Sequence, residues 1–456
     1  MLENDTIAAI ATPMGVGSIS VIRISGSEAI QKISEIFLNR KQKNLLEVST
    51  HSIHHGFILD EKKSILDEVL ISVFKEPHSF TGENVIEVQG HGGILITQMI
   101  LERILSLNIR LAQPGEFSKR AFLNNKIDLV QADSIMDLIF AQNENAVKLS
   151  NLGLHKKTSK LIEDLSDQII DLIGKIEVNI DYPEYDDIDV MTNDIILPQT
   201  QNLIEQMEQI LFFSKKNRFV KDGIKVLIVG KPNVGKSSLL NVLLDEQRAI
   251  VSDIPGTTRD YIDGSVNIDG VNLFLIDTAG IRQTGDRLEQ IGVENTKKLI
   301  QKTELILLLL DQSKDLEEED KVLLEWTKQY PRIVVASKSD LSNKFDLASI
   351  KEPIVNISNK NQSGIEELKK TILQKFQLEQ LQNKDFNYLS NVRHIQQIEI
   401  SLKALKNIIS DIEKKVTIDL HTINLKEAFF ALDNILGKNV PDRLINELFS
   451  KFCLGK

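Results

Sequence analysis

Over the first hundred residues, apolar and polar positions alternate in short runs. Ser20–Ser25 (SVIRIS), Val69–Phe74 (VLISVF) and Val85–Val88 (VIEV) have the texture of strands, and Gly92-Gly93 followed by ILITQMILERIL predicts a helix start. From about Pro114 to Lys216 the period lengthens. Leu161, Leu165, Ile169, Leu172, Ile176 and Ile180 recur at steps of three and four, which draws one apolar helix face. Asp181–Asp189 (DYPEYDDID) breaks that helix with Pro183 and a carboxylate cluster, read as a solvated acidic loop in preference to a metal site. After Asp222 the apolar runs become continuous, at Ile224–Val229, Leu273–Ile276, Leu305–Leu310 and Ile333–Ala336. Helical segments separate most of them, as in a largely parallel sheet covered on both faces. Beyond Phe376, a second stripe of Ile395, Ile398, Leu402, Leu405 and Ile409 predicts another helix. A single apolar stripe must be buried against something. The C-terminal helices are therefore expected to pack on the Ala121–Lys216 helices, with the α/β block inserted between them.

Composition narrows this picture. The 456 residues suggest about three domains. A 42% hydrophobic and 26% charged chain is globular in character. The net charge of −11 excludes a globally basic nucleic-acid coat, though not local tracts such as Lys119-Arg120 or Lys215–Lys221. Cys453 is the sole cysteine, so no internal disulfide or cysteine-cluster zinc site can form. The N-terminus lacks a basic stretch followed by an apolar one, and Leu305–Leu310 is too short to span a bilayer. A soluble cytoplasmic protein with no membrane segment is expected.

The strongest chemical signal is Gly230-Lys231-Pro232-Asn233-Val234-Gly235-Lys236-Ser237, a complete GxxxxGK[ST] pattern between a predicted strand and the helical SSLLNVLL. Glycines let backbone N–H groups turn inward around phosphates, and the helix N-terminus adds favourable partial charge. Lys236 is expected to reach the β- and γ-phosphates, and Ser237 to ligate Mg²⁺. Asp277-Thr278-Ala279-Gly280 ends a second strand, where an acid can hold Mg²⁺ through water and Gly280 can approach the γ-phosphate. Ser337-Lys338-Ser339-Asp340 ends another and resembles the [NT]KxD guanine-reading motif, with Asp340 as the double acceptor and Lys338 over the ring. Ser337 stands where Asn is usual, so one loop-bracing amide is missing and weak nucleotide affinity is expected. Ser358-Asn359-Lys360 sits where a base-supporting loop belongs. Two further pieces are absent. Ile281 occupies the place of a water-orienting Gln, and no arginine finger is evident beyond Arg259 as a candidate. A cation, K⁺, held in part by the Asn233 side-chain carbonyl could supply that charge. Glu289 is a candidate carboxylate for orienting water, although a solvated Glu at a helix N-terminus is its ordinary reading.

In order, these elements resemble a translation-factor-type GTPase domain over roughly residues 217–377. The whole chain resembles the MnmE (TrmE) tRNA-modification GTPase family. The resemblance is carried by NDTIAAIATP, RISG at 23–26, SFTGENVIEVQGHGG at 79–93, PGEFSKRAFLNNKIDLVQAD at 114–133, GKPNVGKSSLLN, DIPGTTRD, DTAGIR and the terminal Cys453-Leu454-Gly455-Lys456. The loop MGVGSIS departs from the family, having fewer glycines and lacking an arginine often found there.

That resemblance implies a multidomain α/β plus α fold. It has a folate-binding, dimerising α+β domain over 1–118, a discontinuous helical domain over 119–216 and 378–456, and an inserted Ras-like P-loop GTPase domain over 217–377. It also implies a homodimer working with an FAD-binding, MnmG-like flavoprotein in a heterotetramer. This complex would place a carboxymethylaminomethyl or aminomethyl group on C5 of wobble uridine in tRNA, with a one-carbon unit from a tetrahydrofolate derivative. Residue by residue, GTP would meet Asn233, Val234, Gly235, Lys236, Ser237 and Ser238, then Ser252, Asp253, Ile254, Pro255, Gly256, Thr257 and Thr258. It would also meet Asp277, Thr278, Ala279, Gly280, Ser337, Lys338, Asp340 and Ser358. Mg²⁺ would take Ser237 and Thr258; K⁺ would take Asn233, Ser252, Ile254 and Thr257, promoting dimerisation of two GTPase domains and catalysis together. Folate would meet Arg23, Glu87, Lys126 and Lys456, and Cys453 would face the modification centre. Taken alone, Arg23 reads as the solvated face of a strand, Cys453 as a small buried hydrophobe and His91 as structural.

Two other classes of function stay in view. A ribosome-assembly or regulatory GTPase would be expected to carry an appended basic RNA-binding module, which a chain of net charge −11 does not display. Folate-dependent catalysis by this chain alone lacks a flavin or nicotinamide fingerprint, so a redox partner is required.

Overall fold

The computed structural model describes residues 5–39, 44–181, 191–245, 264–277, 303–344, 350, 352–376, 378 and 389–456. The chain divides into two compact units. Residues 1–136, 153–170 and 429–456 form the first, and residues 137–152 and 171–428 the second.

In the first unit, seven strands make one sheet: β1 (Ile7–Ile10), β2 (Ile19–Ser25), β3 (Phe37–Asn39), β4 (Ser52–Leu59), β5 (Ile65–Phe74), β6 (Val85–His91) and β7 (Arg110–Leu111). Their spatial order is β3-β4-β5-β6-β2-β1-β7. All neighbours are antiparallel except the parallel pair β1–β7. Period-two alternation decides which face each side chain joins. Ile22 and Ile24 of β2, Ile71 and Val73 of β5, and Ile86 and Val88 of β6 share a core with helices Ala29–Ile36 and Ile94–Leu105. Burying each such side chain contributes about 1.5–3 kcal/mol, so this face holds the helices. Arg23 and Glu87, directly opposite each other in register, point to the other face. Near that face, Phe117 of helix Glu116–Leu123 packs with Ile7 and Ala9. Phe449 and Phe452 pack with Leu129 and Ala132, which places the C-terminal segment in this unit.

The second unit contains β8 (Ile224–Val229), β9 (Gly264–Ile268), β10 (Val271–Asp277), β11 (Leu305–Asp311), β12 (Arg332–Ser337) and β13 (Ile354–Asn356). They are ordered β13-β12-β11-β8-β10-β9, and only the β9–β10 hairpin is antiparallel. Leu305–Leu310 is buried throughout because both faces are covered. Helices Lys236–Asp245 and Ile365–Lys375 cover one face through Leu239, Leu243, Leu368 and Ile372. Helix Glu318–Thr327 covers the other through Leu323, Leu324 and Trp326.

Beside this sheet, helices Asn193–Asp222 and Val392–Glu413 run along each other. The ion pairs Lys215–Glu399 and Lys406–Glu208 show their antiparallel sense. The stripe on Val392–Glu413 is buried at Ile395, Ile398, Leu402 and Leu405. It continues through Ile408, while Ile409 is only half-buried. The acidic segment after Asp181 lies outside the described residues.

Candidate functional site: a nucleotide cleft and a paired arginine and glutamate

In the second unit, β8, β10, β11 and β12 are parallel, so their carboxyl ends line one edge of the sheet. That edge is where open α/β sheets bind ligands. The loop after β8 carries Asn233 at φ 63 and Gly235 at φ 102, and it delivers Lys236 to the first position of a helix. Such a turn presents successive backbone N–H groups to an anion. Lys236 is buried, and its Nζ donates to the carbonyls of Gly230 at 2.9 Å and Lys231 at 2.7 Å. The loop's own backbone thus aims the ammonium. Ser237 and Ser238 follow on the exposed first turn of that helix. A hydroxyl there is the hard oxygen donor that Mg²⁺ prefers. Lys231 bridges to Asp320 at 2.6 Å and Glu317 at 3.0 Å, tying the loop to the start of helix Glu318–Thr327. Sequence reading had no role for Lys231.

The loops after β12 and β13 meet the phosphate loop from the other side. Ser337 is fully buried, and its Oγ lies 2.7 Å from the Val234 carbonyl and 3.1 Å from that of Leu310. A hydroxyl has one proton to donate, so the nearer oxygen takes the bond. The amide is missing at 337, but the serine hydroxyl still makes one bond to the loop. Ser358 donates to Asp340 Oδ1 at 2.7 Å, and this bond holds the Asp340 carboxyl below the ordinary carboxylate range. Asn359 Nδ2 donates to the Gly235 carbonyl at 3.1 Å. Lys338, at φ 61, places its Nζ 2.5 Å from Asp311 Oδ2 at the end of β11. Burial opposes charge on Asp311, but the bonds from Lys338 and Ser313 outweigh it and keep the carboxyl low. Asp311 follows directly on the Leu305–Leu310 run, so its place at the ligand edge was readable although its pairing was not.

Asp277 ends β10 opposite Ile228, and only its backbone is described. Ser252, Asp253, Ile254, Pro255, Gly256, Thr257, Thr258, Thr278, Ala279, Gly280 and Glu289 lie outside the described residues. Those described make an anion cradle and a carboxylate acceptor at one sheet edge, the chemistry a nucleoside phosphate requires.

The first unit brings together most of the second predicted set. Arg23 Nε and Nη2 both donate to Glu87 Oε1, at 3.0 and 2.8 Å, while Arg23 Nη1 donates to the Gly455 carbonyl at 3.2 Å. Its guanidinium lies over the rings of Phe80 and Phe117, 5.6 and 5.8 Å from their centroids. Arg23 is thus a half-buried, paired residue and not a solvated strand face. The C-terminal turn reaches this place because Gly455 sits at φ +87, with its Cα so close to β1 that a Cβ would be 2.5 Å from the Ile10 carbonyl. Lys456 is half-buried there. Burial, then neighbouring Arg23, lowers its ammonium below the ordinary lysine range, against opposing pulls from Cys453 and Glu87. Cys453 is exposed, which corrects its reading as a buried hydrophobe. Lys126 is exposed over Gly82 and makes no hydrogen bond to Arg23 or Glu87 among the described residues. His91 pairs with Asp67 at 2.7 Å, a structural contact.

Arg120 went unread as a structural residue and stood instead within a possible basic patch. It is 3% exposed and bonds Asp5, Glu116 and Glu83 at 2.6, 3.1 and 3.2 Å. Arg110 joins the same network through Asp5 and Glu116, both at 2.6 Å. Lys221 is likewise spoken for by Asp137 at 2.7 Å. No helix among the described residues is long and apolar enough to cross a membrane. Among them, too, no cluster of three or more His, Cys, Asp or Glu side chains could hold a metal.

Comparison with known proteins bears on the family of the whole chain. The family model described as the MnmE helical domain matches residues 129–453, and that described as the GTP-binding protein TrmE N-terminus matches residues 6–126. A protein of Aster yellows witches'-broom phytoplasma (strain AYWB), named tRNA modification GTPase MnmE, is 56% identical, with 99% of each chain covered. Relatives of the same name from Acholeplasma laidlawii and Bacillus subtilis are 52% and 43% identical, covering 100% and 99% of this chain and 100% of each relative. Likeness of this extent spans both units. The chain belongs to the MnmE family of tRNA modification GTPases.

Proposed function

We propose that this chain binds and hydrolyses GTP as the nucleotide-driven subunit of a complex that modifies the wobble uridine of tRNA. The observation that carries the GTP reading is the meeting of Lys236, Ser337, Asp340 and Ser358 at one sheet edge. Lys236 and the loop N–H groups grip the phosphates, and Asp340 accepts both N–H groups of the guanine edge. Lys338 lies over the ring. Ser237 and Thr258 would hold Mg²⁺, which would supply positive charge against the phosphate oxygens. Asn233, Ser252, Ile254 and Thr257 would hold K⁺, which would supply the positive charge that an arginine otherwise brings. Glu289 orients the attacking water.

In the first unit, the reading assigns a tetrahydrofolate derivative to Arg23, Glu87, Lys126 and Lys456. Both Arg23 bonds to Glu87 fall on its Oε1, which leaves Oε2 to accept a pterin N–H, while the cations suit a glutamyl tail. Cys453, exposed on the same C-terminal turn, faces the modification centre. The folate supplies the one-carbon unit for a carboxymethylaminomethyl or aminomethyl group at C5. The chain works as a homodimer with an MnmG-like flavoprotein, which supplies the redox chemistry, and GTP hydrolysis drives conformational change.

The test is nucleoside analysis of tRNA from cells lacking this chain, complemented by the wild type or by Lys236→Ala. Loss of the C5 modification, restored only by the wild type, is expected. Unchanged wobble uridine in the deletion would sink the reading.

A further inference from the structure

The [NT]KxD pattern asks an amide at position 337 to brace the phosphate loop, and here that position holds Ser337. An Asn side chain carries two N–H donors and an acceptor, whereas a serine hydroxyl has one proton. Ser337 gives that proton to Val234, and the second brace arrives from elsewhere. Asn359 Nδ2 donates to the carbonyl of Gly235, the next residue of the loop. The two bonds grip adjacent peptide units just before Lys236.

The approach of Asn359 is built into the loop. Gly235 adopts φ +102, and a Cβ on it would lie 3.0 Å from Asn359 Nδ2. A side chain at 235 would therefore both strain the backbone and crowd the brace. Asn359 Oδ1 is buried and has no hydrogen-bond partner among the described residues. The Gly235 bond alone thus fixes the orientation of that amide. The preceding residue, Ser358, holds Asp340. One two-residue segment consequently grips the guanine-side carboxylate with one side chain and the phosphate loop with the next.

We propose that Asn359 is a positioning residue for the nucleotide: its amide supplies from the loop after β13 the phosphate-loop brace that the motif ordinarily places at 337. Asn359 thereby couples the base-side loop to the phosphate loop, and losing its donor loosens the hold on both ends of the nucleotide. This rests on the GTP reading above.

Dissociation of a fluorescent N-methylanthraniloyl-GDP from the full chain tests it, in the wild type, Asn359→Ala, Ser337→Asn and the double variant. Asn359→Ala is expected to speed release about tenfold, equivalent to ~1.4 kcal/mol. In the Ser337→Asn background the same change should speed it less than about threefold, because the amide is back at 337. Release within about twofold of wild type in Asn359→Ala, or equal effects in both backgrounds, would overturn the proposal. If Ser337→Asn does not fold, Asn359→Asp decides. It keeps the shape but cannot donate, so it should release as fast as Asn359→Ala, and wild-type release from it would refute the brace. A wild type that binds no GDP at all would instead refute the GTP reading and leave the proposal without its premise.

Discussion

The Ser337 hydroxyl donates to the Val234 carbonyl at 2.7 Å, joining residues 103 positions apart at the carboxyl edge of the second sheet. Both residues are buried, so losing this bond strands an acceptor away from water. Ser337→Ala should cost about 1 kcal/mol and weaken GDP binding roughly three- to tenfold, read by titration with a fluorescent GDP analogue. Unchanged affinity would mean that the phosphate loop holds its shape without help from position 337.

Asp340 offers two acceptor oxygens, one already steadied by Ser358. Asp340→Asn replaces an acceptor by a donor, so guanine N–H groups lose their partner while the 2-oxo group of xanthine gains one. GTP affinity should fall about tenfold or more, and XTP affinity should rise. An unaltered ratio of the two affinities would dismiss Asp340 as the base-reading group.

Glu87 takes two bonds from Arg23, and both side chains are largely buried, at 18% and 21% exposure. Glu87→Ala should abolish binding of a reduced folate in calorimetry and cost about 1–3 kcal/mol of stability by leaving Arg23 short of a partner. Glu87→Gln keeps an acceptor oxygen and should recover much of the stability. Wild-type folate affinity in Glu87→Ala would return this residue to a purely structural role.

Turnover should depend on the monovalent cation. K⁺ is expected to exceed Na⁺ by roughly 10²-fold at matched ionic strength, the scale of one preorganised stabilising group. Asn233→Ala should remove the preference for K⁺ over Na⁺. Equal rates in the two salts would end the cation mechanism, whatever Glu289→Ala does to turnover.

His91 and Asp67 make a pH-dependent pair. The hydrogen bond that the His91 ring donates to Asp67, and then the Asp67 charge, raises the His91 pKa above the ordinary 6.5. The pair's contribution to stability is therefore complete below pH 6.5 and is lost as pH rises through the higher folded value. Titration of the His91 ring by NMR should give a midpoint above 6.5 in the wild type, moving back toward 6.5 in Asp67→Asn. Coincident midpoints would remove Asp67 as the cause.

Much of this protein is written locally. The aliphatic runs at 224–229 and 305–310 announce strands buried on both faces, since no other element of that length hides so many branched side chains. The GxxxxGK[ST] motif needs only neighbouring residues to shape an anion cradle, so its position after β8 was legible too. Strand β4 was not, because His54, His55 and Gly56 dilute its alternation.

Pairings across long sequence separations belong to the tertiary structure. Ser337 with Val234, Asn359 with Gly235, and Arg23 with Gly455 are each brought together by sheet order and loop placement, which no local period encodes. The same holds for Arg120, which looked like half of an exposed basic tract. It became a buried hub because packing carried Asp5, Glu83 and Glu116 to it. A residue's propensity and motif are set by its immediate neighbours along the chain. The partner that satisfies its last hydrogen bond is set by which distant segment the buried core brings within hydrogen-bonding distance.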